Sequence, residues 1–129
     1  MTRFVVDSWA WLEYLEGSIL GEKVRESIAD EKNEIFTHVL SLVEIMSKVR
    51  RKEKDTNAAW RAIVTNSRIF TISEVDSKEV GLLHAEIRAK QPSFGLADAF
   101  VLSAARKLGG KVLTGDPDFA HIEDAAMLS

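Results

Sequence analysis

Two stretches, Arg3-Phe4-Val5-Val6-Asp7-Ser8 and Lys111-Val112-Leu113-Thr114-Gly115-Asp116, decide how the chain is read. Each is a short apolar run that gives way to an aspartate. Runs of this length bounded by turn residues read as strands buried in a parallel sheet. In open α/β sheets, ligands bind beyond the carboxyl ends of the strands, where the strand order reverses. If these two strands are neighbours, Asp7 and Asp116 meet at that point.

Between the two stretches, short apolar runs alternate with longer segments of helical period, the pattern of an α/β fold with a mostly parallel sheet. Strands are expected at Arg3–Val6, Glu34–Thr37, Arg68–Ile72, Lys111–Thr114 and Ala126–Leu128. Helices are expected over Ser8–Leu15, Leu20–Glu31 and Val39–Arg51, the last with an apolar stripe of Val39, Leu42, Val43, Met46 and Val49. Asp55 caps a further helix carrying Ala59, Trp60, Ile63 and Val64. Asp76 with Glu79 reads as a capping box for a helix to about Lys90. Leu96–Leu108 is apolar nearly all round, hence a buried helix, closed by Gly109-Gly110.

Composition narrows the class. Two prolines and no low-complexity stretch leave no linker, so residues 1–129 read as one domain. A chain of this length buries about two thirds of its unfolded surface. Its 17 basic and 20 acidic residues give a formal charge of −3, which argues against a polybasic binder that works by bulk charge. The absence of cysteine excludes disulfides, thiol catalysis and zinc sites built on cysteine. No apolar run is long enough to span a membrane, and Asp7 interrupts any signal-peptide core, so the expected location is the cytoplasm.

Four acidic positions stand out by placement: Asp7 closing the first strand, Glu44 within Val39–Arg51, Asp98 opening the buried helix, and Asp116 after the Lys111–Thr114 strand. Each has an ordinary structural reading. Asp7 is a good N-cap, Asp98 complements a helix dipole, and Asp116-Pro117-Asp118 has the composition of a turn. Glu44 lies almost opposite the apolar stripe and reads as solvated. No single residue carries a function.

Taken in order, the motifs do. Val5-Val6-Asp7-Ser8-Trp9-Ala10-Trp11, Ser41-Leu42-Val43-Glu44-Ile45, Gly95-Leu96-Ala97-Asp98-Ala99 and Leu113-Thr114-Gly115-Asp116-Pro117-Asp118-Phe119 resemble the ordered acidic motifs of PIN-domain nucleases. More narrowly they resemble those of VapC-type toxins, and the tryptophan-bearing first helix is similar to that of archaeal members. The resemblance covers essentially the whole chain. It implies a three-layer fold with a mostly parallel sheet of four to five strands in the order 3-2-1-4-5, flanked by helices. It also implies a metal-dependent endoribonuclease, the toxin of a type II toxin–antitoxin pair, working as a homodimer with an antitoxin partner.

Carried over residue by residue, Asp7, Glu44, Asp98 and Asp116 form the catalytic quartet. Asp7, Asp98, Asp116 and, through water, Asp118 are the implied metal ligands, with Ser8 and Thr114 as supporting hydroxyls. His38 stands where many relatives have proline, and Trp9 and Trp11 where more typical members have smaller residues.

Electrostatics supports a cation at such a cluster. Two carboxylates 5 Å apart repel by roughly 3 kcal/mol even at an effective dielectric near 20. Three or four together need a cation or shifted pKa values. Oxygen-only ligands favour Mg²⁺ or Mn²⁺ over zinc. Such an ion lowers the pKa of a bound water and stabilises the leaving oxygen of a phosphodiester, with no nucleophilic side chain required.

For the RNA substrate, Lys48, Arg50, Arg51, Lys52 and Lys54 put five cations within seven residues. They read either as a phosphate clamp or as a solvated helix end whose charges complement the dipole. Arg106, Lys107 and Lys111 form a second basic group. Trp11, Tyr14 and Leu15 share helical spacing and read as core or homodimer interface, as does Trp60. His84 reads as a packed surface histidine, and His121 follows the acidic loop. Two alternatives remain open at this point: a non-catalytic PIN-like scaffold or RNA binder, and a receiver-like phosphoacceptor domain. The receiver expects an acidic pair at the first strand's end and a lysine after the last strand; Ser8, Trp9 and Thr114-Gly115-Asp116 supply neither.

Overall fold

A computed structural model describes all residues from Met1 to Ser129. Five strands, β1 (Thr2–Val6), β2 (Asn33–His38), β3 (Arg68–Phe70), β4 (Lys111–Thr114) and β5 (Ala125–Met127), form one sheet in the order β3-β2-β1-β4-β5. Every pairing is parallel, so the sheet is wholly rather than mostly parallel. A receiver-like domain would order its strands 2-1-3-4-5, so that alternative is set aside.

Six helices cover the sheet: α1 (Ser8–Glu16), α2 (Ile19–Ala29), α3 (Val39–Arg51), α4 (Thr56–Asn66), α5 (Glu74–Arg88) and α6 (Leu96–Leu108). Strand alternation divides the core in two. Val6, Ile35 and Leu113 point into a cluster with Trp11, Val24, Leu42, Ile45 and Ile63, from α1 to α4. Val5, Phe36 and Val112 point into the other, with Val80, Phe94, Leu102 and Phe119. Period-2 alternation thus builds three layers from near-continuous apolar runs. Burying one such aliphatic side chain contributes about 1.5–3 kcal/mol. No helix is long and apolar enough to cross a membrane.

Trp11 is fully buried, and its Nε1 donates to Thr37 Oγ1 at 3.0 Å, so it is core. Trp60 is 47% exposed and is not core. Close approaches require glycine at Gly21 and Gly115, as at Gly110 against the Arg3 backbone. A Cβ on Gly21 would lie 2.1 Å from the Glu13 carbonyl oxygen, which lets α2 fold back on α1. One on Gly115 would lie 2.3 Å from the Trp9 ring, which packs across the turn after β4.

Two sequence expectations are corrected. The capping box of α5 uses Ser73 as N-cap and Asp76 as its third helical residue, so Glu79 has no part in it. The hydroxyl of Ser73 is the nearer acceptor for the first-turn N–H groups, which shifts the helix start back from Asp76. The second correction concerns α3. Its buried residues are Ser41, Leu42, Ile45 and Val49, whereas Val43 is 61% exposed and Val39 is also exposed. The buried arc is rotated from the expected stripe because α3 packs against both α1 and α6, and Glu44 therefore does not face open solvent. Smaller differences are a β3 that ends at Phe70 and a β5 one residue earlier.

Candidate active site

The β1 and β4 strands lie side by side, with Val6 opposite Leu113, at the point where the sheet's strand order reverses. Beyond their carboxyl ends opens a cavity of about 330 Å³, lined by Asp7, Ser8, Trp9, Ser41, Glu44, Lys48, Asp98 and Asp116 among others. Four chain segments distant in sequence bring Asp7, Glu44, Asp98 and Asp116 to it, and Glu13 and Glu16 of α1 add two further carboxylates to its lining. The quartet read from the sequence is thus brought together in one place.

Each carboxylate is held by local backbone chemistry. Asp7 caps α1, its Oδ1 accepting from the Ala10 N–H at 2.9 Å, while the Asp7 N–H donates to the Leu113 carbonyl across the sheet. The ordinary N-cap reading is correct as far as it goes, and the cap also fixes the carboxylate over the strand ends. Asp98 Oδ2 accepts from the Gly95 N–H at 2.8 Å, half of a capping box on α6. Asp116 donates its N–H to Thr114 Oγ1 at 3.0 Å, and its Oδ1 accepts from the Asp118 N–H at 2.9 Å. The latter bond starts a single 3₁₀ turn over Pro117–Phe119. Thr114 also hydrogen-bonds the Asp7 carboxyl, so this buried hydroxyl ties two of the acids together.

Asp118 accepts from Ser93 Oγ at 2.7 Å through Oδ1, and its carbonyl accepts from Gln91 Nε2 at 2.6 Å. Oxygens of Asp98, Asp116 and Asp118 lie within 4.8 Å of one another, close enough to share a cation. Asp7 stands outside that tightest group but lines the same cavity.

The electrostatics of the cavity are those of crowded, desolvated acids. Burial pushes Asp7 up to about 7, with the charges of Asp116 and Asp98 adding to the shift and the bonds to Thr114 and Ala10 opposing it. Asp98 is raised to about 6, again by burial first, against its Gly95 bond and with Asp116, Asp118 and Glu44 contributing. Glu44 is raised by burial, partly offset by Lys48. Lys48 offsets only part of the charge on the group, so protons or a cation must take up the rest.

The basic cluster splits on folding. Lys48 and Lys52 line the cavity, and Lys52 pairs with Glu16 at 3.1 Å across its mouth, whereas Arg50, Arg51 and Lys54 do not line it. In the second basic group, Arg106 pairs with Asp124 at 3.3 Å and Lys107 with Asp76. His84 is half-buried against the Phe94 carbonyl, and His121 lines a separate cleft with Glu86 and Arg106.

Some residues of the site are not singled out by sequence: Ser41, Glu13 and Glu16, which line the cavity, and Ser93, which holds Asp118 from outside the lining. For Ser41 a signal does exist. Ser41, Glu44, Lys48 and Lys52 recur at i, i+3, i+7 and i+11, a polar stripe along α3.

Comparison with known proteins agrees with this geometry. The family model described as PIN domain matches residues 4–125, and the chain belongs to that family. Its fold is similar to that of the Mycobacterium tuberculosis toxin VapC20, described as cleaving the sarcin–ricin loop. The two share 17% identity and a TM-score of 0.77, over 99% of this chain and 100% of that one. It is also similar to a chain of the Rickettsia felis VapBC2 structure, bound to a DNA fragment from its promoter. There the identity is 16% and the TM-score 0.76, over 98% and 97% of the two chains. A toxin–antitoxin complex from Klebsiella pneumoniae matches at 18% identity and a TM-score of 0.69, over 98% and 97%. None of the curated proteins matches the chain significantly in sequence.

Proposed function

We propose that this chain, acting over residues 1–129 as one PIN unit, is a Mg²⁺- or Mn²⁺-dependent endoribonuclease and the toxin of a type II toxin–antitoxin pair. The observation that carries the reading is the convergence of Asp7, Glu44, Asp98 and Asp116 on one cavity, with acids raised by burial and mutual repulsion. The donor set fits a hard divalent cation. It offers carboxylate oxygens and the hydroxyls of Ser8 and Ser41, with no thiolate or imidazole lining the cavity.

Asp98 and Asp116, with Asp118 and Asp7 beside them, would hold such an ion. When bound, it supplies charge stabilisation and a water of lowered pKa for phosphodiester hydrolysis. The chain's own residues do the positioning. Thr114 orients Asp7 and anchors the Asp116 turn, Ser93 fixes Asp118, and Ser8 lines the wall beside Asp7. Lys48 and Lys52, on one stripe of α3, meet the phosphates of an incoming RNA strand next to the acids. Arg50 and Arg51, on the outer side, add only long-range attraction.

Partner surfaces accompany this reading. An apolar groove of Leu12, Leu15, Val49, Ala58 and Ala59 adjoins the acidic cavity, sharing Leu12, Glu16 and Lys52 with it, and would seat an antitoxin segment. The exposed Val39 and Val43 on α3 suit burial against a second copy of the chain. Both the VapBC neighbours and the absence of a membrane-crossing helix are consistent with a toxin acting in the cytoplasm.

The test is cleavage of a structured RNA by re-purified Asp7→Asn and Asp116→Asn proteins. Both are expected to lose activity while staying folded. Cutting at the parental rate by either would refute the mechanism.

A further inference from the structure

Two buried side-chain atoms in the molecule meet no hydrogen-bond partner, His38 Nε2 and Ser41 Oγ. Their surroundings differ. The His38 ring sits between Phe70 and Phe100, with Nδ1 accepting from the Leu40 N–H at 3.0 Å, and does not line the acidic cavity. Ser41 is 1% exposed, yet it lines the acidic cavity together with Asp7, Glu44, Asp98 and Asp116. A serine inside a helix ordinarily satisfies its hydroxyl by bonding back to the carbonyl four residues earlier. Ser41 makes no such bond: it is the third residue of α3, and Thr37, four residues earlier, belongs to β2 and not to the helix. The hydroxyl therefore keeps a donor and its acceptor lone pairs for something that enters the cavity.

We propose that Ser41 is a positioning residue of the site: its Oγ accepts a hydrogen bond from a water of hydration on the cation held by the acidic cluster. The inference rests on the metal-dependent reading above. Hydrated Mg²⁺ and Mn²⁺ keep several waters when only a few carboxylates bind them directly. The oxygens of those waters face the ion, so their hydrogens need acceptors on the cavity wall. A serine hydroxyl is a neutral acceptor that takes such a hydrogen without adding charge and leaves the carboxylates for the ion itself. Ser41 stands on the same stripe of α3 as Glu44 and Lys48, so the helix that carries the fourth acid also carries this acceptor. Groups that act on a metal through its water or ligands are worth about 10–100-fold in affinity or activity.

The experiment compares the parent with Ser41→Ala and Ser41→Thr, measuring Mn²⁺ affinity by calorimetry without RNA, melting temperature in chelator, and RNA cleavage. Ser41→Ala removes an unpaired buried hydroxyl, so its melting temperature in chelator should equal or exceed the parent's. Its Mn²⁺ affinity should fall by about tenfold, with cleavage reduced in step, and Ser41→Thr should recover most of both. Unchanged Mn²⁺ affinity in Ser41→Ala overturns the inference. A large drop in melting temperature for Ser41→Ala also overturns it, because the hydroxyl would then be structural. If the parent itself binds no Mn²⁺ at millimolar concentration, the metal-dependent function fails and takes this inference with it.

Discussion

Asp76 and Asp98 occupy the same local position in two neighbouring helices and end up with opposite chemistry. Each is the third residue of its helix, and each accepts a hydrogen bond from the N-cap backbone, from Ser73 at 3.0 Å and from Gly95 at 2.8 Å. Asp76 is paired with Lys107 reaching over from α6, and its carboxyl is held down to about 2 by that hydrogen bond and by the bonds from Ser73. Asp98 has no cation within reach and faces Asp116, Asp118 and Glu44, so burial and repulsion raise it to about 6. The capping motif is common to both. What distinguishes the helix-stabilising carboxylate from the one with a raised pKa in the acidic cluster is burial and the charge brought opposite it by the tertiary fold.

Exchanging the two carboxylates for amides is the strongest way to break this comparison. Asp98→Asn should lower RNA cleavage by more than the about 100-fold that loss of an indirect metal partner can cost. Asp76→Asn should leave the cleavage rate unchanged while lowering the melting temperature. The pair is refuted if Asp76→Asn stops cleavage in a protein of parental stability, or if Asp98→Asn cuts normally.

The next effect is on stability and concerns the most buried member of the site. Asp7 is shifted from 3.8 to about 7, so ionising it in the native state costs on the order of 4 kcal/mol relative to the unfolded chain. Asparagine keeps the cap to Ala10 and removes the charge. Denaturant unfolding in chelator at pH 8 should therefore find Asp7→Asn more stable than the parent by up to about 4 kcal/mol. An inactive Asp7→Asn that is also less stable would show that its carboxylate is structural.

The pH dependence sharpens the contrast further. Groups with raised native pKa values hold protons that the unfolded chain has lost, so stability falls as pH rises. For Asp7 and Asp98 that loss runs from about pH 4 to 7 and then levels. Asp76 is shifted the other way: its contribution is complete above its unfolded value of 3.8 and disappears as pH drops toward 2. Thermal melts in chelator should thus decline between pH 5 and 8, with a shallower decline in Asp7→Asn. Added Mn²⁺ should raise the melting temperature more at pH 8 than at pH 5, because protons and the cation compete for the same oxygens. A cation effect that grows on acidification would contradict the arrangement.

The smallest expected effect separates the two halves of the basic cluster. Lys48→Ala and Lys52→Ala should each weaken RNA binding and reduce the salt slope by about 1, whereas Arg50→Ala and Arg51→Ala should do less. Filter binding across a salt series in Ca²⁺ measures this.

What could be read from the sequence follows the reach of each signal. The ends of α3 and α6 and the strand Lys111–Thr114 fall where they were expected, because capping, Gly109 and short apolar runs are local. The four acids were visible only as an ordered set, since each has an adequate local role, and Asp7 and Asp98 do perform those roles as caps. Glu44 was misplaced because α3 carries two apolar arcs, and only packing against α1 and α6 decides which is buried. Ser73, Lys107 and Ser93 act through contacts that local patterning does not report: a cap that precedes the expected start, and partners 31 and 25 residues away. Ser41 lay on a legible polar stripe, but its unpaired hydroxyl is a property of the folded cavity.

The proposed function has the acids at the ends of β1 and β4 hold a divalent cation that RNA cleavage requires. Cleavage of one RNA substrate by the parent in chelator, after addition of Mg²⁺ or Mn²⁺, and by Asp116→Asn under the same conditions tests it most directly. No cutting is expected in chelator, with full recovery on adding either ion and no recovery in Asp116→Asn. Cutting that persists in chelator, or that returns in Asp116→Asn, would contradict it.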